Sequence, residues 1–464
     1  MSVILALVTI TVLILTALSI WSTYRVKALL HPGLYFCILW AFGVASYLSL
    51  SLVQNHLNIY NADHVNELNG YVLFTAVLFY VFKGLGRKKV LKQPSIWQVH
   101  SFYPLFKYIA ITALISAVSM FIIRAATLDF AATRDATVEF ETTLYYGERS
   151  QTLLFTILGI FLSSNLILGV YAGFFIGDQF KQRNILRASW FILLLPLLTQ
   201  IVLMLMVGGR IDFINILRAY VFGVSISIAN GVSKTFTRKM IVTLVSAFLL
   251  FSIYSNINYQ QRTTQSTNQG GNPILNQFSS IMEYYSAVYN GYQLRRYDFV
   301  TKELEYGEKT FAGILFFRIP FAGTLGLRNT SIGEIAGLEE YSMKKMFLEL
   351  QSRNALHFST VSSIYLLFYD DFGFWGTFLF LFFLVWITQI VYIKWFNSIH
   401  KSLFSIFFLF LFFVLWSNSI MDPVFATGFF RSTLFSIATL QVFYFLKIKF
   451  FSKPRQQYKI QLNK

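Results

Sequence analysis

Polar and ionisable side chains crowd one short stretch of the chain, RNALHFSTVSSIYLLFYDDFGFWG at 353–376. Arg353, His357, Asp370 and Asp371 stand there, just before a hydrophobic run. An arginine brings a fixed charge whose planar fork fits carboxylate or phosphate oxygens. A histidine or a carboxylate can take the proton of a hydroxyl. Charge held at a membrane boundary is costly, which makes such residues functional candidates. On a helix Arg353 and His357 share a face. His357 alone fits a hydrogen-bonded interface residue better than a catalyst. Asp370 and Asp371 are adjacent and point apart. One suits the cap of a helix starting near Phe372; the other remains a candidate general base or hydroxyl acceptor.

Two further arginines stand out. Arg210 follows two glycines in VGGRIDF, and Arg218 lies two turns deeper in an apolar run. Snorkelling to an interface accounts for Arg210 as readily as anion binding does. Arg218 reaches an interface less easily. Asp212 can pair with either arginine and make the group structural. The motifs HExxH, GxSxG, GxxxxGK[ST] and GxGxxG are all absent from the sequence, so there is no visible nucleotide site. An adjacent pair of aspartates is weak support for a metal, and no metal or other cofactor is expected.

The elements that must position these residues are apolar. Of 464 residues, 56% are hydrophobic and 13% charged, against about 25% charged in a soluble domain. Apolar runs lie near 2–21, 33–53, 67–82, 105–123, 151–177, 189–207, 211–230, 241–258, 372–393, 402–420 and 432–449. Each approaches the length that crosses a bilayer as a helix, about 20 residues. Uninterrupted runs exclude a barrel, whose strands alternate. The chain therefore reads as an all-α polytopic membrane protein with eleven crossings. The first run has no basic residue before it and reads as a retained helix. The single cysteine, Cys37, excludes an internal disulfide.

The connecting segments alternate in charge. Every acid but Asp178 falls in or beside one set of loops, and the other set is basic. Basic short loops stay cytoplasmic. This puts the carboxyl terminus inside, the amino terminus outside, and the long polar segment 259–357 outside. It also explains the net charge of +17 without nucleic acid. The chain then divides into membrane helices over 1–258, the outer segment 259–357, a re-entering stretch with the last helices over 358–449, and a basic tail from 450. Residues 358–393 are long for one crossing. Phe358 to Tyr369 is expected at the outer interface or re-entering partway, with Gly373 and Gly376 turning the chain into the next helix. The outer segment is expected to hold helices over Asn276 to Phe299 and over 333–353. Its tyrosines, among them Tyr284 and Tyr285, can stack on sugar rings or pack within a small subdomain. Arg295 and Arg296 beside them favour an anionic glycan or lipid surface.

The pattern resembles the O-antigen polymerase family, the oligosaccharide repeat unit polymerases. The likeness rests on the many helices, the large late outer segment, the Gly-Gly-Arg at 208–210, and then Thr360, Tyr365, Tyr369, Asp371-Phe372-Gly373 and Gly376. The arginine-to-glycine spacings of some members do not fit: Gly223 follows Arg210, and Gly373 follows Arg353. The resemblance implies a GT-C-like glycosyltransferase of the bacterial cytoplasmic membrane. Its substrates would be polyprenyl-pyrophosphate-linked oligosaccharides, and its partners a flippase and a chain-length regulator. In that frame Arg210, Arg218 and Arg353 hold pyrophosphate, while His357 or Asp371 receives the acceptor's proton. Tyr284, Tyr285, Arg295 and Arg296 would face glycan. The related O-antigen ligases carry a histidine near the same place, often followed by asparagine; here Phe358 follows His357. A ligase, or a transporter or flippase of lipid-linked oligosaccharide, is the competing reading. Paired halves and broken helices, the marks of transporters, are not visible in the sequence.

Overall fold

A computed structural model of the chain describes residues 3–54, 62–85, 103–127, 161–162, 164–178, 190–207, 210–229, 282, 285–289, 291–293, 306–307, 309–315, 331–337, 363–398, 403–420 and 428–451. Every regular element among them is helical. Apolar surroundings offer the backbone no water, so an apolar run must pair its own amides and carbonyls. The long helices are α1 (Val3–Tyr24), α2 (Pro32–Gln54), α3 (Ala62–Phe82), α4 (Tyr103–Thr127), α5 (Asn165–Asp178), α6 (Trp190–Val207), α7 (Arg210–Ala229), α8 (Ile364–Asn397), α9 (Leu403–Asn418) and α10 (Gly428–Phe451). A 3-10 turn over Arg25–Leu30 joins α1 to α2. Five stretches are long and apolar enough to cross a membrane: Val3–Leu30, Pro32–Leu50, Asp63–Phe82, Tyr103–Ile123 and Ile364–Asn397. The expected run at 241–258 lies outside the described residues.

In the polar segment, 285–289 and 291–293 are helical, as expected. The helix expected over 333–353 is a single turn within the described residues. It spans Ile332–Ile335, is closed at its start by a capping box of Ser331 and Glu334, and is followed by Gly337 at φ 73°. A left-handed residue there stops the helix; residues 338–353 lie outside the described set.

Helix α1 shows how the bundle is sided. Ala6, Thr9, Leu13, Thr16, Ile20 and Thr23 form its buried stripe, which packs on α2 and α3. Ile4, Leu7, Val8, Leu15 and Leu18 are exposed around the rest. Two hydroxyls of the stripe are satisfied locally, Thr9 and Thr23 donating to the carbonyls of Leu5 and Ser19 on their own helix, while Thr16 donates to the Ala76 carbonyl of α3 at 3.5 Å.

At one end of the bundle a directed chain of hydrogen bonds ties four elements. The Gly33 amide donates to His31 Nδ1 at 3.2 Å. The other ring nitrogen, Nε2, lies 2.8 Å from Gln389 Oε1 and must therefore donate. Gln389 Nε2 donates to the Tyr24 hydroxyl at 2.6 Å, and that hydroxyl donates to the Lys83 carbonyl.

Helices α5 and α7 approach closely through glycines on both sides. A Cβ on Gly173 would collide with the Tyr220 carbonyl, and one on Gly223 with the Val170 carbonyl. Small residues at such a crossing let two helices gain full van der Waals contact. Backbone cannot yield as a flexible side chain does. Gly223→Ala should therefore lower the melting temperature in detergent, with a cost of about 1–3 kcal/mol. Gly70, within α3, has nothing within 4 Å of its notional Cβ. Gly70→Ala should leave stability unchanged or raise it, by up to about 1 kcal/mol. Equal melting temperatures for the two variants would contradict the close crossing.

Candidate functional site

Helix α8 is broken. Gly373 has φ 67° and ψ −175°, a left-handed conformation that glycine adopts without steric cost. Gly376, three residues on, has no side chain to strike the Phe372 Cβ across the kink. These are the two glycines at which the sequence led one to expect a turn. The segment from 374 to 397 is by itself long enough to cross a membrane. The segment 364–372 is thus an extra half-helix, and Ile364 through Phe368 are all buried. That places 364–368 inside the bundle and not at its rim.

A break releases backbone groups, and three carbonyls beside it accept from outside the backbone ladder of α8. The Asp371 carbonyl accepts from the Tyr306 amide at 3.0 Å. The Gly373 carbonyl accepts from the Thr377 hydroxyl at 2.7 Å. The Phe374 carbonyl accepts from the Tyr71 hydroxyl at 3.3 Å. The aspartate pair serves the same junction. Asp371 is fully buried, and its two carboxylate oxygens accept from the amides of Lys309 at 3.1 Å and Thr310 at 2.6 Å. Asp370 pairs with the Lys309 ammonium at 3.2 Å. The first helical segment of α8 starts at Ile364, before the aspartates, and the second follows the kink at Gly373. Both fasten 306–310 of the polar segment to the half-helix.

A second piece of that segment enters the bundle beside α2. The Tyr285 ring meets Phe42 edge-on at 5.1 Å, and Tyr289 stacks on Tyr47 at 4.4 Å. The Tyr289 hydroxyl donates to Asn69 Oδ1 at 2.9 Å, and the Tyr292 hydroxyl to Glu67 at 2.7 Å. Phe42 and Gly43 lie roughly 16 Å along α2 from its start, about half its length. The tyrosines expected to pack within a separate subdomain thus pack between helices.

Three features converge at that depth. Helix α9 ends there: the Ile420 side chain occupies the space a Cβ on Gly43 would need. The half-helix of α8 begins there: the Ile364 amide donates to the Ser419 carbonyl at 3.0 Å, and Trp40 Nε1 donates to the Ser419 hydroxyl at 2.9 Å. Arg218 is the third. It is half-buried, donates to Asn215 Oδ1 at 3.2 Å, and lies within electrostatic reach of Tyr285. Helix directions agree with this placement. Along α2, Tyr35, Phe36 and Gly43 meet Phe413, Trp416 and Ile420 in order, so α9 runs with α2. Along α7 the order is reversed, with Ser225 by Tyr35 and Arg218 near Phe42 through Tyr285. Since Phe222 touches Phe413, Arg218 one turn back is level with Ser417. The result is a polar junction in the middle of the bundle, carrying the Arg218 guanidinium. Its chemistry is that of holding an anion with hydroxyls beside it.

Of the residues singled out in the sequence, the structure brings Arg218 and Tyr285 together and places Asp371 in the fastening of the half-helix. Arg210 is the first residue of α7, two turns from Arg218. Tyr284, Arg295, Arg296, Arg353 and His357 lie outside the described residues, as does Thr360. Sequence reasoning missed Ser363, Lys309, Ser417 and Asn418. Only Lys309, a lone cation between glutamates 303, 305 and 308 and the next apolar patch, carried a usable signal. The chain matches no family model, no curated protein and no solved structure.

The two amide bonds to Asp371 define a test. Asp371→Asn keeps one acceptor and turns a donor toward the second amide, a loss of about 2–3 kcal/mol. We expect a lower melting temperature and faster proteolysis around 306–311. An Asp371→Asn protein with native stability and no activity would instead make this carboxylate a reacting group.

Proposed function

We propose that this chain is an integral membrane glycosyltransferase that joins polyprenyl-pyrophosphate-linked oligosaccharide repeat units into a surface polysaccharide. The observation that carries the reading is the placement of Arg218 at the polar junction, beside a segment dipping in from the long polar stretch. In this reading that stretch lies outside the cytoplasmic membrane of a bacterium, the amino terminus is outside, and the tail is cytoplasmic. A hydroxyl oxygen of the acceptor repeat unit attacks the anomeric carbon of the donor. The carbon–oxygen bond to the diphosphate breaks, and the lipid diphosphate departs with the bonding pair. The hydroxyl proton passes to a base.

The leaving group is already good; what it needs is stabilisation of charge in a site of low dielectric. Arg218 supplies it, with Arg210 on the same helix and Arg353. The base is His357 or Asp371; both oxygens of Asp371 already accept from amides, which lowers their basicity. Half-buried Tyr285 and buried Tyr289 and Tyr292 shape the approach to Arg218, and Tyr284, Arg295 and Arg296 contact the glycan. An O-antigen ligase would use the same donor half and differ in its acceptor.

A flippase is the second reading. The break at Gly373, with a half-helix starting inside the bundle, is the feature that favours it. Reconstituted protein separates the two: a polymerase lengthens glycan supplied on the outer face, whereas a flippase moves labelled lipid and leaves its length alone. For the polymerase, Arg218→Gln should cut the rate by about 10²–10³, and Arg218→Lys should recover part of it as a point charge. Full-length glycan ladders from Arg218→Gln protein of native stability would refute the assignment.

A further inference from the structure

Two side chains flank the bond between Ile364 and Ser419, and each holds a buried oxygen with no partner among the described residues. Ser363 is fully buried and stands at the N-cap of the half-helix, yet its hydroxyl makes no capping bond. Asn418 is 3% exposed and ends α9. Neither Ser363 Oγ nor Asn418 Oδ1 has a hydrogen-bond partner among the described residues. The contrast with their neighbours is informative. Ser419 accepts from Trp40 and donates to the Trp416 carbonyl, and Ser417 donates to the Val414 carbonyl. A buried acceptor with no donor is destabilising, and an apolar residue of similar shape would serve packing better. Groups of this kind are worth holding where a ligand completes them.

Resting on the reading of Arg218 as a diphosphate holder, we infer that Ser363 and Asn418 form a sugar subsite for the same ligand. They take hydroxyl groups of the sugar that adjoins the lipid diphosphate. The chemistry divides cleanly between the two sides of the junction. Arg218, level with Ser417, meets anionic oxygens. Asn418 Oδ1 can only accept, so it calls for a hydroxyl or amide hydrogen. Ser363 Oγ both accepts and donates, and it sits at the positive end of the half-helix. A bare diphosphate satisfies Arg218 and leaves Asn418 Oδ1 unmet; a sugar diphosphate satisfies both. The pair therefore reads the first sugar, and discrimination by hydroxyl pattern follows from leaving these atoms unmet when the sugar is wrong.

The test uses the full chain in lipid nanodiscs with two probes: polyprenyl diphosphate carrying a single sugar, and polyprenyl diphosphate alone. The variants are Ser363→Ala, Asn418→Leu and Arg218→Gln. Without ligand, Ser363→Ala and Asn418→Leu should melt at or above the wild-type temperature, since each removes an unmet polar atom. Each should weaken the sugar-bearing probe about three- to tenfold and leave the bare lipid unchanged. Arg218→Gln should weaken both probes. Unaltered binding of both probes by Ser363→Ala and Asn418→Leu would overturn the subsite and leave these atoms to an ordered water. Equal losses on both probes would also overturn it, since the pair would then be reading diphosphate. Unaltered binding of both probes by Arg218→Gln would overturn the diphosphate reading itself, whatever the other two variants do.

Discussion

Backbone broken inside an apolar bundle must be re-paired by protein, because no water is at hand to do it. That requirement organises this molecule. Around the kink at Gly373 the carbonyls of 371, 373 and 374 accept from three sources: the polar segment through Tyr306, the same helix through Thr377, and α3 through Tyr71. The aspartates then bind the polar segment a second and third time, through Lys309 and Thr310. A buried ion pair such as Asp370–Lys309 adds little net stability, but losing one partner costs about 3–5 kcal/mol. Its value lies in fixing where the segment docks. The half-helix, the docking loop and the polar junction form one unit, and none can be placed without the others.

Much of this was legible in the sequence. Apolar runs separated by sided charge mark the helices, and Gly373 and Gly376 mark the turn, since few other residues tolerate that backbone. Arg218 stood out because a guanidinium two turns inside an apolar helix needs a reason. The roles of the aspartates were not legible. Their partners are backbone amides some sixty residues earlier, and an amide carries no sequence signature. The sequence puts the tyrosines of the polar segment in a separate subdomain because composition reports polarity and not depth. Tyr289 and Tyr292 hide their hydroxyls on Asn69 and Glu67, so a polar-looking stretch is buried against helices. Ser363 and Asn418 escaped notice for a simpler reason: serine and asparagine are ordinary at helix ends, and only coordinates show which lack a partner.

The close crossing of α5 and α7 bears on how the junction is held. Glycines 173 and 223 bring two backbones together where no side chain can act as a cushion. Helix α7 carries Arg218, so the guanidinium hangs from a rod clamped along its length. Preorganised charge is effective because nothing needs to move when it is used.

The imidazole of His31 accepts from one amide and donates to one amide oxygen. A second proton on that ring would face the hydrogen of Gly33 head-on. The ring is therefore usable in a single charge state, and it behaves as a rivet instead of a titrating group. Strong acid would drive the rivet out and part the α1–α2 corner from α8.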